Sequence, residues 1–568
     1  MIDIQKEIIN KYPSLSKRSP MLKKSLFKVA QKLIHEDKIN DFLDLHAHLK
    51  GFEFVEAVLD YFKLDFSYSN NNILNIPSTG RVVIIANHPL GALDALCLLK
   101  LISIVRKDIK IIANDFLADV KSLDALFIKI DNFKTSQSKQ SIQRVYDSLN
   151  NEEAVIIFPA GEVSRVSPYG IRDGKWQKGF LKFAQKSNSP ILPILVDAKN
   201  SKTFYTVSVL NKTFSTVLLS DEMFKQHNKN INIKIGKLIA HKDIYPKDVD
   251  KKTLPNMYKK HLYNLKKDKK SLFQTQNAIA NSENKQLIKK ELKQSKLLGK
   301  TSDGKMIYLY TYEADSTVLK EIGRLREISF RQVNEGVNKK RDTDKYDHYY
   351  EHIVLWDEDD LEIVGSYRIG NAKEILKQHG FDGFYTHTLF EFQEDFKPYL
   401  ENSIELGRSF VQPKYWGSRA LDYLWFGIGA YLKENPQIRY MYGPVSLSAS
   451  FSPIAKDLIV HYYSAYFKPK TKLVKAKKRY KFHYENNILK DITSSHNSKN
   501  DLKILKSSLK NIDTSIPTLY KQYAELCTED GLSFHGFNID PNFSDCVDGF
   551  ILVDVDKIKD SKKKRYMS

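Results

Sequence analysis

Short apolar runs closed by turn residues set the pattern of the first half of this chain. Val82-Val83-Ile84-Ile85-Ala86 runs into Asn87-His88-Pro89, and Ala154-Val155-Ile156-Ile157 runs into Phe158-Pro159-Ala160-Gly161. A third run, Ile191-Leu192-Pro193-Ile194-Leu195-Val196, is entered through Pro190. Uninterrupted apolar runs of this length predict strands buried on both faces. An apolar helical pattern follows Asp94, so the first run predicts a strand, a turn and a helix. Residues 203–210 and 231–239 also read as strands. Residues 20–30 open on Ser-Pro and repeat apolar positions at spacings of three and four, which predicts an amphipathic helix. Packing on its own domain and lying on a membrane with lysines toward headgroups both suit that helix.

The second half changes rhythm. Residues 306–310 read as a strand and 318–330 as a helix, with Leu319, Ile322, Leu325 and Ile328 on one face. Two strands, 353–357 and 362–369, flank an acidic turn. A strand over 403–411, a Pro/Gly loop, a helix over 419–432 and a strand over 437–442 follow. Between the halves, residues 258–300 are rich in Lys, Asn and Gln, with one helical pattern over 278–298. The expected division is a first domain over 1–270, a linker or bridging helix over 271–300 and a second domain over 301–568. The fold class is α/β in both halves.

Composition adds constraints. At 568 residues and 42% apolar content the chain is large enough for two cores. Its 3 cysteines, Cys97, Cys527 and Cys546, are widely spaced, which fits a reducing compartment without a disulfide framework or zinc site. His46 and His48 have no further ligand cluster around them, so no metal is expected. No stretch approaches about 18 uninterrupted apolar residues, so no transmembrane helix is expected; 93–105 and 420–432 read as core or amphipathic helices. The N-terminus lacks the apolar core of a signal peptide. The net charge of +21 is spread along the chain without an arginine-rich arm or an RNA-recognition strand. Nucleic acid is therefore not the expected partner. An anionic membrane surface and an acidic carrier protein suit the charge better.

His88 and Asp94 carry the first candidate chemistry. Five residues separate them, at the mouth of a strand-to-helix turn. An imidazole oriented by a carboxylate is a general base for an alcohol. A surface histidine beside a helix-start aspartate is the plain structural reading. Together with Phe127-Ile128-Lys129-Ile130-Asp131, the three apolar runs resemble, in order, the four motifs of the glycerolipid acyltransferases. The chain departs from that family's pattern in three places. The His-to-Asp spacing is one residue longer, which Gly91 can absorb. Phe-Pro-Ala-Gly-Glu stands for Phe-Pro-Glu-Gly, displacing the carboxylate to Glu162. Asn132 stands where an Arg often contacts a glycerol phosphate, which argues against glycerol 3-phosphate as acceptor. The resemblance implies that His88 and Asp94 are catalytic and that Asn87, Phe158, Pro159, Gly161, Glu162, Ser164 and Arg165 bind substrate.

In the second half, Gly323-Arg324-Leu325-Arg326, Glu405-Leu406-Gly407-Arg408 and Tyr442-Gly443-Pro444-Val445-Ser446-Leu447 resemble the GNAT N-acyltransferase fold. The branch they resemble holds the autoinducer synthases and ornithine N-acyltransferases. Residues 515–520 and 543–550 resemble the end of the ornithine acyltransferases. The coenzyme A pyrophosphate loop is poorly met by Lys414-Tyr415-Trp416-Gly417-Ser418-Arg419, which favours an acyl carrier protein as donor over acyl-CoA. Glu405 is the expected acceptor of the amine proton. Arg326, Arg368 and Arg408 are equally suited to hold a substrate carboxylate, and Ser446 is expected at the substrate. Three residues apart on a strand, Glu405 and Arg408 are expected on opposite faces.

Taken together, the two halves resemble the bifunctional ornithine lipid synthases. The resemblance implies N-acylation of an amino acid with a 3-hydroxyacyl group, then O-acylation of the lyso-lipid by the first half. It implies no cofactor beyond the acyl thioester. It also implies a cytoplasmic protein at the periphery of the inner membrane. Glycine, serine or another amino acid, a lysophospholipid acceptor, and a non-catalytic basic membrane- or RNA-binding protein are the alternatives.

Overall fold

The computed structural model describes residues 27–28, 31–113, 120–129, 135–210, 215, 218–246, 249–484, 489 and 491–567. Most of the candidate membrane helix over 20–32, and Ile130, Asp131 and Asn132, lie outside the described residues. The chain divides into two compact units, Met1–Ala280 and Asn281–Ser568.

The first unit is built on a mostly parallel sheet. Its strands are β1 (Asp65–Ser67), β2 (Val82–Ala86), β3 (Ile109–Ala113), β4 (Phe127–Lys129), β5 (Ala154–Ile157), β8 (Ile191–Asp197) and β9 (Asn230–Ile235), in the order β1-β9-β8-β2-β5-β3-β4. Only the β8–β9 pair is antiparallel. A small hairpin, β6 (Arg165–Ser167) and β7 (Gly170–Arg172), stands apart. The central runs are apolar throughout because both faces are covered. Val82, Ile84 and Ala86 pack with α1 (Phe52–Tyr61) and α2 (Ala92–Ser103). Val83 and Ile85 point the other way, toward α3 (Thr135–Asn150), α4 (Gly179–Lys186) and α6 (Leu254–Asn264).

Residues 203–210, expected as a strand, form helix α5 (Lys202–Leu210) instead. Their β-branched and aromatic content favours a strand by propensity. Packing decides otherwise: Phe204, Tyr205 and Ser208 are buried at helical spacing, and the Thr206 and Ser208 hydroxyls donate to carbonyls one turn back.

The second unit holds an eight-stranded sheet in the order β10-β11-β12-β13-β15-β16-β19-β18. These are β10 (Lys296–Lys300), β11 (Met306–Thr311), β12 (Glu351–Asp357), β13 (Glu362–Asn371), β15 (Ser403–Val411), β16 (Tyr440–Leu447), β18 (Leu532–Asp540) and β19 (Cys546–Asp554); β14 (Phe390–Phe392) pairs separately with β17 (Val474–Ala476). All neighbours in the large sheet are antiparallel except β15 and β16. The segment expected as a linker is divided between the units: residues 271–280 belong to the first, burying Phe273 and Ala278, and 281–300 belong to this one. Helix α7 (Lys285–Gln294) buries Ile288 and Leu292, and β10 pairs with β11 at the sheet edge. Its polar composition is that of an amphipathic helix, whose two buried side chains anchor it.

The sheet's two faces differ in kind. One is apolar: Ile353, Tyr367, Ile404, Met441, Val445 and Ile551 pack under α9 (Ala420–Glu434), α10 (Pro453–Tyr466), α11 (Ser498–Lys510) and α12 (Thr518–Leu526). The other, toward α8 (Thr317–Gln332), buries Arg326, His352, Arg368, Glu405 and Asp548. Buried charges are costly unless paired, so this face holds the second unit's candidate functional groups.

Candidate functional sites

In the first unit the β2-to-α2 turn brings His88 and Asp94 together. Gly91 has φ +89° and precedes the helix, a left-handed conformation that L side chains rarely adopt. Asp94 lies at the third helical position, where it accepts from the backbone N–H of Leu90 (2.8 Å) and Gly91 (3.1 Å). Its Oδ2 is 3.2 Å from His88 Nδ1. Asp94 is fully buried; burial raises its pKa, and His88 and the two backbone N–H groups oppose that rise. With Nδ1 turned to Asp94, Nε2 is the nitrogen left for a substrate.

The ring of Phe158 stacks on His88 at 4.1 Å between centroids. Gly161, at φ +65°, donates its N–H to the Phe158 carbonyl and closes the turn. Pro159 is buried, and its carbonyl accepts from Gln177 N. Glu162 and Arg165 approach to 3.8 Å. Arg165 donates to the Ser215 hydroxyl at 2.6 Å and lies over Phe204.

Two residues expected at the substrate are occupied elsewhere. Asn87 spends its amide on β8, donating to Val196 O and accepting from Val196 N, both at 2.8 Å. It ties the strand ends together below the site. Ser164 is buried, donating its hydroxyl to Asp173 at 2.5 Å and its N–H to the His88 carbonyl at 2.7 Å.

Asp173 is the residue that sequence reasoning missed. Its Oδ1 accepts from the backbone N–H of His88 (3.2 Å) as well as from Ser164, and its Oδ2 accepts from Trp176 Nε1 at 2.9 Å. One buried carboxylate thus fixes the main chain of the His88 turn from the far side of the hairpin. The only sequence signal is its place between Arg172 and Gly174, just after that hairpin.

In the second unit, β15 and β16 pair only from Ser403–Glu405 with Tyr440–Tyr442, and then part. A wedge opens between them, with Arg408 on β15 and Ser446 on β16 past the point of parting; both are half-buried, as are Tyr385, whose hydroxyl accepts from Arg408, and Glu335. Arg408 belongs to this group despite its spacing from Glu405. The β13–β15 register slips between Ser366 and Arg368, and Arg408 takes φ +50°. This bulge inserts one extra residue and turns Arg408 to the face that Glu405 occupies.

The three arginines differ. Arg326 is sealed, donating to Asp347 at 2.7 Å and lying 3.3 Å from His352 Nδ1. Arg368 bridges Asp344 (2.7 Å) and Asp347 (3.0 Å) among the rings of Tyr346, Tyr350 and Tyr385. Burial disfavours charge on Asp347, but Arg326 and Arg368 outweigh it and hold the carboxyl well below its usual range. Arg408 sits between Tyr385 and Phe543, donates to Tyr385 OH, and lies 3.4 Å from Asp342 and 3.5 Å from Asp344. The side chains of Arg326 and Arg368 are 0% and 1% exposed and that of Arg408 is 10%, so Arg408 alone of the three reaches solvent.

Glu405 does not stand open to a substrate. One oxygen accepts from the N–H and hydroxyl of Thr386, the other from Tyr350 OH. Burial raises its pKa against those hydrogen bonds. Ser446 likewise donates to Asp548 Oδ1, at 2.6 Å. Burial first, and the charge of Asp540 after it, push Asp548 up to about 6. Glu335 is pushed up to about 8, by burial and then by Asp548. Both carboxyls are thus held above the ordinary carboxylate range.

Comparison with known proteins follows the same division. Residues 6–270 match the model of an acyltransferase family, and residues 325–426 match an acetyltransferase (GNAT) domain. The chain is similar to the glycine N(alpha)-acyltransferase of Phocaeicola vulgatus, 33% identical over 296 residues, covering 50% of this chain and 90% of the relative. It is similar to the lyso-glycine lipid O-acyltransferase of Bacteroides thetaiotaomicron, 30% identical over 246 residues, 42% of this chain and 88% of the relative. It is also similar to the L-ornithine N(alpha)-acyltransferase of Brucella abortus, 30% identical over 127 residues, 21% of this chain and 43% of the relative.

Proposed function

We propose, from the premise that this chain belongs to the acyltransferases of amino-acid lipids, that it performs both acylations of one such lipid, one in each unit. The second unit would join a 3-hydroxyacyl group to the amine of an amino acid, and the first would acylate the free hydroxyl of that product. The observation that carries this reading is the pair of separate, chemically complementary sites on one polypeptide: a histidine base with its buried carboxylate in one unit, a strand wedge lined by an arginine and carboxyls in the other. Holding both on one chain keeps a poorly soluble intermediate at high local concentration.

In the O-acylation, His88 Nε2 takes the proton of the lyso-lipid hydroxyl as its oxygen attacks the thioester carbonyl. Asp94 stabilises the imidazolium, which returns the proton to the departing thiolate. In the N-acylation, the strand wedge would take the extended, amide-bearing thioester arm, since the main-chain groups of β15 and β16 beyond Glu405 and Tyr442 are free of ladder pairing with each other. Arg408 would hold the substrate carboxylate by its fork. Asp548, behind Ser446, would take the proton of the attacking amine; Glu405 would act through Tyr350 and Thr386. The thiolate leaves with that proton. Positioning, proton transfer and charge stabilisation suffice for both steps.

Glycine is the amino acid to test first, because the glycine acyltransferase relative is matched over nearly its whole length. Ornithine follows, supported by the shorter match. The donor is proposed as acyl carrier protein, with acyl-CoA the alternative. The test is product analysis: purified protein with each amino acid and each donor, resolved by mass spectrometry into monoacyl and diacyl lipid. A diacyl aminolipid from one amino acid supports the reading. Failure to form any N-acyl amino acid with either donor contradicts it.

A further inference from the structure

A lobe hydrogen-bonded to the His88 turn carries an unusually apolar surface. Among the described residues, three of the four most exposed large apolar side chains lie in one lobe of the first unit: Leu210 at 82%, Tyr169 at 81% and Val209 at 70%. Val166, at 52%, belongs to the same lobe. The lobe is the β6–β7 hairpin packed on α5 through Val163, Ile171, Phe204 and Tyr205. Single exposed apolar residues need no explanation, but a group on one lobe marks an interaction surface.

The lobe is tied to the catalytic turn at both ends. Val166 follows Ser164 and Arg165, and Ser164 holds the His88 carbonyl. Asn200, just before α5, ties the other end: its side chain donates to the Pro89 carbonyl and its backbone N–H to Tyr205 OH. The lobe is also rimmed by positive charge. Arg172 lies 6.0 Å from the Tyr169 ring, Lys202 at the start of α5 is exposed, and β7 leads on to exposed Lys175 and Lys178. Apolar tips with a cationic rim match the layering of an anionic bilayer surface, acyl region below and headgroups above.

We propose that this lobe is the surface by which the first unit enters an anionic membrane, with Val166, Tyr169, Val209 and Leu210 reaching the acyl region, so that a lyso-lipid passes from the bilayer directly to His88. The proposal rests on the lipid-acceptor reading above. It adds to the candidate helix over 20–32 a surface bonded to the His88 turn itself. An acidic carrier protein would meet the basic rim but gains nothing from exposed Leu210 and Tyr169, which is why a bilayer is the occupant argued for.

The test compares the parent protein with Tyr169→Asp/Leu210→Asp, none of these being residues of the catalytic machinery. Co-sedimentation uses phosphatidylcholine vesicles with and without phosphatidylglycerol, and thermal melts confirm that the variant is folded. The variant should lose about 10-fold or more in partitioning to the anionic vesicles, as expected when two large apolar side chains are removed from a membrane contact. Its KM for vesicle-borne lyso-lipid should rise, while kcat with detergent-dispersed lyso-lipid is unchanged. A folded variant that pellets like the parent overturns the proposal. So does a variant that binds vesicles normally yet loses transfer from carrier-bound donor, which would make the lobe a carrier-protein surface. Vesicle binding that depends on the lobe in a protein with no O-acylation in detergent would uphold the lobe and count against the function proposed for His88.

Discussion

Arg408 shares a sheet face with Glu405 although it lies only three positions further along one strand. Regular alternation would send Arg408 into the apolar core on the opposite side. The left-handed backbone at Arg408, with φ +50°, supplies the extra residue that brings it back. A non-glycine residue there costs about 1–2 kcal/mol. The fold accepts this cost at the position where a cation beside the wedge is useful.

Substituting Arg408→Lys keeps the charge but loses the planar fork and the stacking between Tyr385 and Phe543. The KM for the amino acid should rise by about 10-fold or more, while O-acylation of supplied lyso-lipid stays at the parental rate. Steady-state kinetics of each half-reaction provide the check. An unchanged KM would remove Arg408 from the carboxylate site.

Asp548 and Glu405 separate in the same assay. Asp548→Asn should slow amine acylation by about 100-fold, as for loss of a proton acceptor. It should also remove the fall in rate that the parent shows as pH drops through about 6, where Asp548 becomes protonated. Glu405→Gln leaves one of the donors Tyr350 and Thr386 badly matched. It should lower stability by about 1–3 kcal/mol and slow the reaction less. A pH profile unchanged in Asp548→Asn and abolished in Glu405→Gln would reverse the two roles.

Glu335 gives a pH dependence of stability with a definite sign. Its folded pKa of about 8 lies above the ordinary 4.5, so the folded state holds its proton more tightly than the unfolded state. Stability from this group is therefore lost as pH rises from about 4.5 toward 8. Glu335→Gln has no such loss. Relative to the parent it should gain about 1–2 kcal/mol at pH 8, since partial exposure screens the half-buried Glu335, and nothing near pH 4. Denaturant midpoints across that range test this; a constant difference between the two proteins would contradict it.

Asp173→Ala strips the acceptor from His88 N, Ser164 Oγ and Trp176 Nε1 together. A loss of about 2–4 kcal/mol in stability should accompany slower O-acylation. Amine acylation by the same protein should persist, as measured by monoacyl product.

What the sequence shows and what it hides have physical reasons. The strands β2, β5 and β8 are legible because both of their faces are buried, so their residues are apolar without interruption. The meeting of His88 and Asp94 is legible because it is local: one turn and one helix end fix it. Asp173 is hidden because 85 residues separate it from the His88 N–H it holds. The turn of Arg408 toward Glu405 is signalled only by Gly407 beside it, a glycine inside a strand that allows a bulge without fixing which residue it turns. Helix α5 is hidden because its packing overrides the strand propensity of Thr203, Phe204, Tyr205 and Val207. The wedge between β15 and β16 depends on where two strands stop pairing, which depends on tertiary structure and not on either strand's composition.

The central claim is that the two acylations are divided between the two units, with His88 serving only the second. The most direct measurement is the mass spectrum of lipid made by His88→Ala, in cells and with purified protein. The account predicts that the monoacyl aminolipid accumulates and the diacyl product falls by about 100-fold or more. Loss of both products from a folded His88→Ala protein, or undiminished diacyl product, would contradict it.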